Sequence, residues 1–545
     1  MSAEGSWVYE HGDYELLLLD QIVQRGFAAN VNVDYAMNYG RPSGVEPYFV
    51  ESGTGRPGLR DRAPHLEQEP LVITVVGGID GVFELPEPVL GRPVIRSSSA
   101  PVVCTGESLE ETLTTQHESR HDVVERSPGV WTTVHELGFR FVRVDASVIE
   151  IEARVRPGTL QGSFECSNRR LTQIWQTSAR TLRLCMQGLM LDGVKRDRMP
   201  WIGDQALTML ANAYSFADGA IIRDSLVALG RPRHGYVNGI ADYSLWWLIT
   251  ARQYQLYFDD REFLGREADN IDAFLSNLAG YVTDGVFRPR PEPDGFEGAN
   301  EGSVFIDWGA VIEPGRDYTA LQVLWCWAVR SGAELLANHP SGATWAALAN
   351  SVEQVTIASG WHGERWSEYL DDATTTSPYP NFLAKLAGLP TSETAMKTVT
   401  DATRLGTPFM TAFAIAAVGA SALPRIEQLW GAMLDAGATT FWEEFAEDSS
   451  PLEMYGRPFG KSLCHAWSSG PAALLPQLVL GVRPLTDGWA TFTVEPQLGD
   501  LAWASAVVPT PHGDIIVHSD RSRTTVTVPA GTALGEHLGP CTVTI

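Results

Sequence analysis

The sequence predicts a mainly α-helical protein with β domains: an (α/α)6-barrel domain flanked by N-terminal and C-terminal β-sandwich domains. Three observations predict this fold class. Strand-like segments and turns fill residues 1–160, helical periodicity runs through residues 161–478, and strand composition returns in residues 479–545. We take these ranges as the expected domain boundaries.

The N-terminal part is expected to be β-rich. Residues 71–76, 139–144 and 147–153 have strand composition, and the second segment partly alternates with a period of two. Proline and glycine recur between such segments, as in residues 53–58, which predicts turns. A β-sandwich is the expected architecture.

Helical spacing begins near Cys166, where apolar residues recur at Leu171, Ile174, Trp175 and Leu182. About a dozen helices joined alternately by short and long loops favour an (α/α)6 barrel over a two-layer array. No short-period repeat indicates a solenoid. The inner helices should be apolar on most faces. The further periods cover residues 206–216, 245–258, 263–278, 321–336, 345–357, 382–387, 409–418 and 426–436.

The C-terminal part returns to strand composition from about Val482. Residues 490–494, 514–518 and 524–528 are rich in β-branched residues, and the first and last of these segments alternate. We expect a small β domain here.

The composition limits the classes of partner. The chain has 545 residues, 44% hydrophobic, with 40 basic and 66 acidic residues and a net charge of −26. Such a field repels nucleic acid and anionic membranes, so we expect neither as a partner. A neutral substrate is easier to accept, although solubility alone also explains the charge.

The cysteines and the first residues concern the compartment. None of the six cysteines forms a CxxC pair, and their scattered contexts indicate a reducing compartment. No basic region followed by an apolar stretch marks a secretory signal, and the apolar run at residues 16–19 is too short to span a bilayer. The expected location is cytoplasmic. The sequence does not decide between a monomer and a homodimer.

Residues 192–204 are the most informative segment. They combine three carboxylates, three cations and Trp201, with glycine and proline interrupting the run. A surface charge run gives no reason for Trp201, and a protein core does not tolerate six charges. Acidic groups beside an aromatic plate are what a pocket that cleaves glycosides requires.

Five segments together resemble the α-L-rhamnosidases. They are residues 138–142 (GFRFV), 192–204 (DGVKRDRMPWIGD), 305–308 (FIDW), 437–445 (GATTFWEEF) and 462–471 (SLCHAWSSGP). They occur in the family's order and span roughly residues 135–520, and such collinearity is more specific than one motif. The first 130 residues show no comparable match.

The resemblance implies an (α/α)6-barrel enzyme that hydrolyses terminal α-L-rhamnosyl bonds with inversion. Inversion requires a general acid and a general base with about 6.5–9.5 Å between their carboxyl groups. By motif position, Asp197 matches the general acid and Glu443 the general base. Asp307 and Trp308 are further pocket candidates. The positions that match sugar-binding residues are Asp192, Arg196, Trp201, Asp204 and His465.

Each assignment has a structural alternative. Asp204 precedes a helical run and could be an N-cap. Trp201 could be a core residue and His465 a hydrogen-bonded core histidine. Glu443 could pair with a nearby cation, and Glu444 is its nearest rival as the base. Core, turn or surface roles compete in the same way for Trp308, Asp192, Asp307, Arg196 and Arg198.

The acid assignment carries a physical condition. Many family members have Glu where this chain has Asp197, and Arg196 and Arg198 flank it. Nearby cations lower a carboxyl pKa, whereas a general acid needs a raised one. The segment must therefore point both guanidinium groups away or surround Asp197 with apolar walls. If it does neither, Asp192 or Asp204 is the better candidate.

Other chemistries have little support in the sequence. The chain has no HExxH, no GxSxG elbow and no phosphate loop or dinucleotide fingerprint, so we expect neither a cofactor nor a metal. A carboxylate-bound Ca²⁺ stays open. Two alternatives remain: a barrel glycosidase or polysaccharide lyase acting on another deoxy sugar or a uronic acid, and a carbohydrate-binding protein without activity.

Overall fold

The computed structural model describes most of the chain from residue 80 onward and three short strand segments before it. The described ranges are residues 6–10, 13–17, 71–74, 80–114, 119–134, 136–153, 156, 158–187, 189–195, 200–230, 236–291, 299–454, 456–537 and 541–544. The turn predicted at residues 53–58 lies outside them.

The N-terminal region is β-rich, as predicted. Strands β1 and β2 form an antiparallel hairpin, and the others join one branched eight-stranded sheet of order β3-β10-β4-β9-β5-β6, with β8 pairing with both β4 and β7. Helix α1 (Leu109–Leu113) follows β5. The strands are β1 (Ser6–Glu10), β2 (Asp13–Leu17), β3 (Leu71–Thr74), β4 (Val82–Arg96), β5 (Val103–Gly106), β6 (Arg120–His121), β7 (Val123–Ser127), β8 (Val130–Thr133), β9 (Leu137–Val144) and β10 (Ser147–Ala153).

The middle of the chain is helical, as predicted. A π-helical turn (Glu427–Gly431) joins α12 to α13, and a short hairpin of β12 (Val282–Thr283) and β13 (Val286–Phe287) follows α6. The helices are α2 (Arg169–Cys185), α3 (Ile202–Ala213), α4 (Gly219–Leu229), α5 (Ala241–Phe258), α6 (Arg261–Ala279), α7 (Thr319–Leu335), α8 (Gly342–Gly360), α9 (Pro378–Leu386), α10 (Glu393–Asp401), α11 (Pro408–Val418), α12 (Leu423–Ile426), α13 (Ala432–Asp435) and α14 (Pro471–Val479).

The helices contact one another in a ring. Helix α3 packs on α5, α5 on α7, α7 on α9, α9 on α11, α11 on α14, and α14 returns to α3. The helices that alternate with them in the chain, which are α2, α4, α6, α8, α10 and the α12–α13 pair, each pack on members of this ring. Every second helix therefore belongs to an inner layer.

Burial separates the two layers. In α5, which belongs to the ring, 14 of 18 residues are buried, whereas in α6 only six of 19 are buried. The buried positions of α6 follow helical spacing, because only one of its faces meets the protein. In α5, burial extends over most faces of the helix, in line with the expectation for an inner helix.

The sequence did not predict three of these helices. Helix α10 buries only Ala395 and Val399, which is too little to produce an apolar period. Helix α14 contains Pro476 in its interior, a residue that normally ends a helix. Helix α4 has 11 residues and lies outside every segment in which helical spacing was predicted.

The C-terminal region holds two sheets, and the three strands predicted there are confirmed. One sheet has the order β11-β16-β17-β18-β20 and the other β14-β15-β19. Strand β11 precedes all the long helices yet pairs with β16, so residues 163–166, assigned by prediction to the helical domain, belong to this sheet. The strands are β11 (Ser163–Cys166), β14 (Arg483–Pro484), β15 (Thr491–Val494), β16 (Trp503–Thr510), β17 (Gly513–Asp520), β18 (Thr524–Thr527), β19 (Ala533–His537) and β20 (Cys541–Thr544).

Two further sequence expectations concern membranes and thiols. Within the described ranges, no helix has the length and apolar character that crossing a bilayer requires. The cysteines that the structure describes in full are free and buried, in line with the scattered spacing. They are Cys104, Cys166, Cys185, Cys326 and Cys464.

Candidate active site

A cavity lies where the first turns of α3 and α5 meet three loops of the helical region. Its empty volume is about 340 Å³, counting the part open to solvent. The loops are those between α2 and α3, before α7, and between α13 and α14. The described residues that line the cavity are Asp192, Trp201, Asp204, Ile240, Tyr243, Phe305, Trp308, Glu443, His465 and Trp467.

Asp204 sits inside the first turn of α3. The N-cap of this helix is Trp201, which makes no side-chain capping hydrogen bond, so the N-cap alternative for Asp204 is wrong. The carboxylate lies at the helix end where the backbone N–H groups carry partial positive charge. Gly203 lets the turn approach α5, because a Cβ there would lie 2.5 Å from the Tyr243 ring. The helix start therefore delivers Asp204 to the cavity.

His465 lies between two buried carboxylates. Its Nε2 is 3.2 Å from Asp204 Oδ1, and its Nδ1 is 4.0 Å from Glu443 Oε2. Burial raises the pKa of Asp204, the His465 imidazole opposes this shift, and the Glu443 charge adds to it. Among the described residues, His465 Nδ1 has no hydrogen-bond partner although it is buried. Such an atom facing a cavity is suited to a polar ligand.

Hydrogen bonds with Ser462 and Trp467 fix Glu443 in place. Its backbone N–H donates to Ser462 O at 2.9 Å, and the Ser462 N–H donates to Glu443 Oε2 at 3.1 Å. The Trp467 indole donates to the Glu443 carbonyl at 2.8 Å. With 2% exposure the glutamate is desolvated yet reaches the cavity wall. These bonds hold one carboxylate oxygen and aim the side chain.

Glu444 is held away from the cavity. Its carboxylate pairs with Arg404, and Lys461 Nζ lies 3.9 Å from its other oxygen. It does not line the cavity, whereas Glu443 does. The geometry thus favours Glu443 over its neighbour as a group that meets a ligand.

An aromatic wall faces these polar groups. The Trp201 and Tyr243 rings meet edge to face at 6.0 Å, Tyr243 and Phe305 at 5.8 Å, and Phe305 and Trp308 at 4.8 Å. Trp201 is 6% exposed, so it is a core residue and a cavity residue at once. Edge-to-face contacts fix the rings without occupying all of their faces.

Asp242 supports this wall from behind. Its carboxylate accepts hydrogen bonds from Phe305 N at 2.7 Å and Ile306 N at 3.0 Å. Ile306 has φ of 64°, a conformation that is unfavourable for a β-branched residue. Burial raises the pKa of Asp242 to about 6 in spite of the two amide donors. The sequence reasoning did not single out this residue, because a lone Asp at the start of a helix is common.

Asp307, a pocket candidate from the sequence, is not among the residues that line the cavity. Its carboxylate accepts from Thr407 N at 2.9 Å, Thr407 Oγ1 at 2.6 Å and Tyr379 OH at 3.1 Å. Because these donors occupy both oxygens, the geometry gives Asp307 a supporting role. Its neighbour Trp308 does line the cavity.

The loop between α2 and α3 is described only in part. Asp192 lines the cavity with 1% exposure, and its carbonyl accepts from Ala466 N at 2.6 Å. Arg196 and Asp197 lie outside the described residues. Their predicted roles stay predictions, as does the separation between the Asp197 and Glu443 carboxyl groups.

Two cavity residues were missed entirely from the sequence, Ile240 and Tyr243, which lie at the start of α5. Trp467 and Phe305 were quoted only as parts of motifs. The sequence did offer a signal for both residues. They lie where the long inner helix α5 begins, next to a loop that is free to build a pocket. In the described part of the chain, no group of three or more His, Cys, Asp or Glu side chains could hold a metal ion.

Two family models match the sequence. Residues 160–322 match the bacterial alpha-L-rhamnosidase 6 hairpin glycosidase domain, and residues 481–538 match the bacterial alpha-L-rhamnosidase C-terminal domain. No curated protein sequence matches the chain significantly. The resemblance inferred from the five motifs is confirmed by the two domain matches.

Solved structures share the fold. The GH78 family rhamnosidase of Bacillus sp. GL1 is 22% identical with a TM-score of 0.70, and the match covers 86% of this chain and 54% of that one. A Klebsiella oxytoca rhamnosidase with rhamnose bound is 20% identical with a TM-score of 0.62, covering 76% and 98%. The Streptomyces avermitilis alpha-L-rhamnosidase complexed with L-rhamnose is 17% identical with a TM-score of 0.66, covering 86% and 50%. The chain thus spans about half the length of the Bacillus and Streptomyces proteins.

Proposed function

We propose that this chain, which carries the six-hairpin glycosidase and C-terminal domains of the bacterial α-L-rhamnosidases, hydrolyses terminal α-L-rhamnosyl residues of oligosaccharides or glycosides with inversion. One observation carries the proposal: Glu443, Asp204 and His465 converge in a single cavity with an aromatic wall. Two buried carboxylates that meet in one cavity argue against a carbohydrate-binding protein without activity, because burying charged groups is costly.

The proposed reaction divides two roles between two carboxyl groups. Glu443 accepts a proton from a water molecule, which attacks the anomeric carbon, and the general acid protonates the departing glycosidic oxygen. The Ser462 N–H donates to Glu443 Oε2 and so orients the carboxylate that accepts this proton. By motif position the general acid is Asp197. Asp204 has a raised pKa and is the alternative within the described part of the cavity.

The cavity matches a deoxy sugar in chemical terms. The aromatic wall suits the apolar ring face and the methyl group of rhamnose. Asp192, Asp204 and His465 offer acceptors and a donor for its hydroxyls, and Arg196 adds a cation by motif position. The Klebsiella and Streptomyces neighbours were solved with rhamnose, which supports this substrate class.

We extend the proposal to the architecture. The ring of α3, α5, α7, α9, α11 and α14 with its alternating outer helices fits an (α/α)6 barrel. Domain boundaries near residues 160 and 479 are retained, apart from strand β11. The free buried cysteines support a reducing compartment, the cytoplasm.

Substituting the two adjacent glutamates tests the proposal. Glu443→Gln should lower kcat for a p-nitrophenyl α-L-rhamnoside by about 10²- to 10⁴-fold, the typical contribution of a general base. Calorimetry should show that rhamnose binding is retained, because the amide preserves the shape. The matched control Glu444→Gln should stay within about threefold of the parent. Undiminished turnover by Glu443→Gln would reject the base assignment.

A further inference from the structure

Two carboxylates of the N-terminal β region enter the helical region beside the cavity. Glu107 follows β5, and Glu111 lies in α1. Lys195 Nζ, in the loop that carries Asp192, is 3.2 Å from Glu111 Oε1 and 3.7 Å from Glu107 Oε2. The Glu107 N–H also donates to Glu111 Oε2 at 2.9 Å. The three side chains form one cluster, which we call the Glu107–Glu111–Lys195 cluster.

The same ammonium binds a second loop of the cavity. Lys195 Nζ donates to Phe459 O at 2.8 Å and to Lys461 O at 3.2 Å. Glu107 Oε2 accepts from Leu463 N at 2.6 Å. The cluster therefore joins the loop before α3 to residues 459–463 between α13 and α14.

Residues 459–463 are the segment that fixes the proposed base. Ser462, which holds Glu443 Oε2, lies directly between Lys461 and Leu463, the two residues bound by the cluster. His465 follows two residues later. On the other loop, Asp192 precedes Lys195 by three residues, and Asp197 follows it by two.

The cluster is shielded from water, so its ion pairs hold the three side chains in a fixed geometry. The side chains of Glu107, Glu111 and Lys195 are 0%, 5% and 14% exposed. A buried ion pair gains little net stability but fixes geometry, because its partners lose much when they separate. The β region adds apolar contact, since Leu90 of β4 packs with Val194 and Cys464.

We propose that Glu107 and Lys195 are positioning residues through which the N-terminal β region aligns the two loops of the catalytic cavity. Lys195 holds the loop that carries the acid candidate, and Glu107 holds the backbone next to the base. Neither is among the described residues that line the cavity. The proposal rests on the proposed function for its kinetic readout only.

The kinetic test uses variants on both sides of the cluster. Lys195→Met and Glu107→Ala should each lower kcat for an aryl α-L-rhamnoside at least about tenfold, since small displacements of catalytic groups cost such factors, with KM changed less. The double variant should cost about as much as either single one, because the residues act as a unit. Lys195→Arg should recover part of kcat. Glu110→Gln, an exposed glutamate on the same helix, is the matched control.

A second readout does not depend on activity. Hydrogen–deuterium exchange of peptides covering residues 192–195 and 459–465 should accelerate in Lys195→Met and Glu107→Ala and not in Glu110→Gln. Exchange and kcat both equal to the parent's in the folded variants would overturn the proposal, as would additive losses of kcat. Faster exchange in a protein that cleaves no α-L-rhamnoside would support the alignment and reject the proposed function.

Discussion

Chemically equal side chains acquire different roles here through their immediate partners. Glu443 faces the cavity with one oxygen held by a backbone N–H, while the adjacent Glu444 is paired with Arg404. Asp204 faces the cavity beside His465, whereas Asp307 has both oxygens occupied by hydrogen bonds. The sequence can list such carboxylates. It cannot separate them, because the deciding partners lie between 19 and 261 residues away along the chain.

At the scale of single residues, the general acid can be identified by how strongly the loss of activity in a variant depends on the leaving group of the substrate. Asp197→Asn should reduce kcat/KM by about 10²- to 10⁴-fold for rhamnosyl disaccharides, whose leaving group needs a proton. For a dinitrophenyl rhamnoside, which departs as a stable anion, the loss should stay below about tenfold. Parallel kinetics of Glu443→Gln should show large losses on both substrates.

The outcome also decides between the candidates. Equal, small losses for Asp197→Asn on both substrates would transfer the acid role away from this residue. Asp204→Asn would then be expected to show the dependence on the leaving group, since burial raises the pKa of Asp204.

The raised pKa of Asp242 predicts that the free energy of unfolding depends on pH. Burial raises the pKa of Asp242 from 3.8 to about 6, so its contribution to the unfolding free energy is fully present below pH 3.8 and is lost as the pH rises through 6. Relative to Asp242→Asn, the parent should lose roughly 2 kcal/mol of unfolding free energy between pH 4 and pH 7. Urea unfolding across this range measures the difference. Parallel stability curves for the two proteins would contradict the assignment.

At the level of secondary-structure elements, the sequence located most helices through the periodic spacing of their apolar residues. It failed where few residues are buried, as in α10, and where proline masks the pattern. Strand β4 contains three prolines and a register shift between Glu84 and Val89, so it was missed although it is the longest described strand. The loops that build the cavity have no period, and only the motifs located them.

Glycine positions test how closely these elements must approach. A Cβ on Gly138 of β9 would lie 2.0 Å from Val194 O and 2.5 Å from Lys195 Cα, both backbone atoms of the cavity loop. Gly138→Ala should therefore displace the loop, destabilising the protein by about 1–3 kcal/mol and lowering kcat about tenfold or more. Thermal unfolding and steady-state kinetics measure the two effects.

The matched control is a glycine with free space. Gly265 is exposed in α6, and a Cβ there meets nothing within 4 Å. Gly265→Ala should raise the unfolding free energy by about 1 kcal/mol and leave kcat unchanged. If Gly138→Ala behaved like Gly265→Ala, the close contact between β9 and the loop would be refuted.

In the whole molecule, residues from distant parts of the chain meet in one place. Asp192 and His465 are 273 positions apart in the sequence and line the same cavity. The motifs predicted this convergence for most of the site. They did not predict the Glu107–Glu111–Lys195 cluster, because Glu107 lies in a region without recognisable motifs. Contacts between domains depend on how the surfaces meet, which a single sequence does not state.

We propose that this cavity hydrolyses α-L-rhamnosides with inversion. Proton NMR of an aryl α-L-rhamnoside during the first minutes of turnover tests it most directly, since the anomeric signals report the configuration of the released sugar before it equilibrates. Inversion predicts that β-L-rhamnose appears first and then mutarotates. Initial release of α-L-rhamnose, or no release of rhamnose at all, would contradict it.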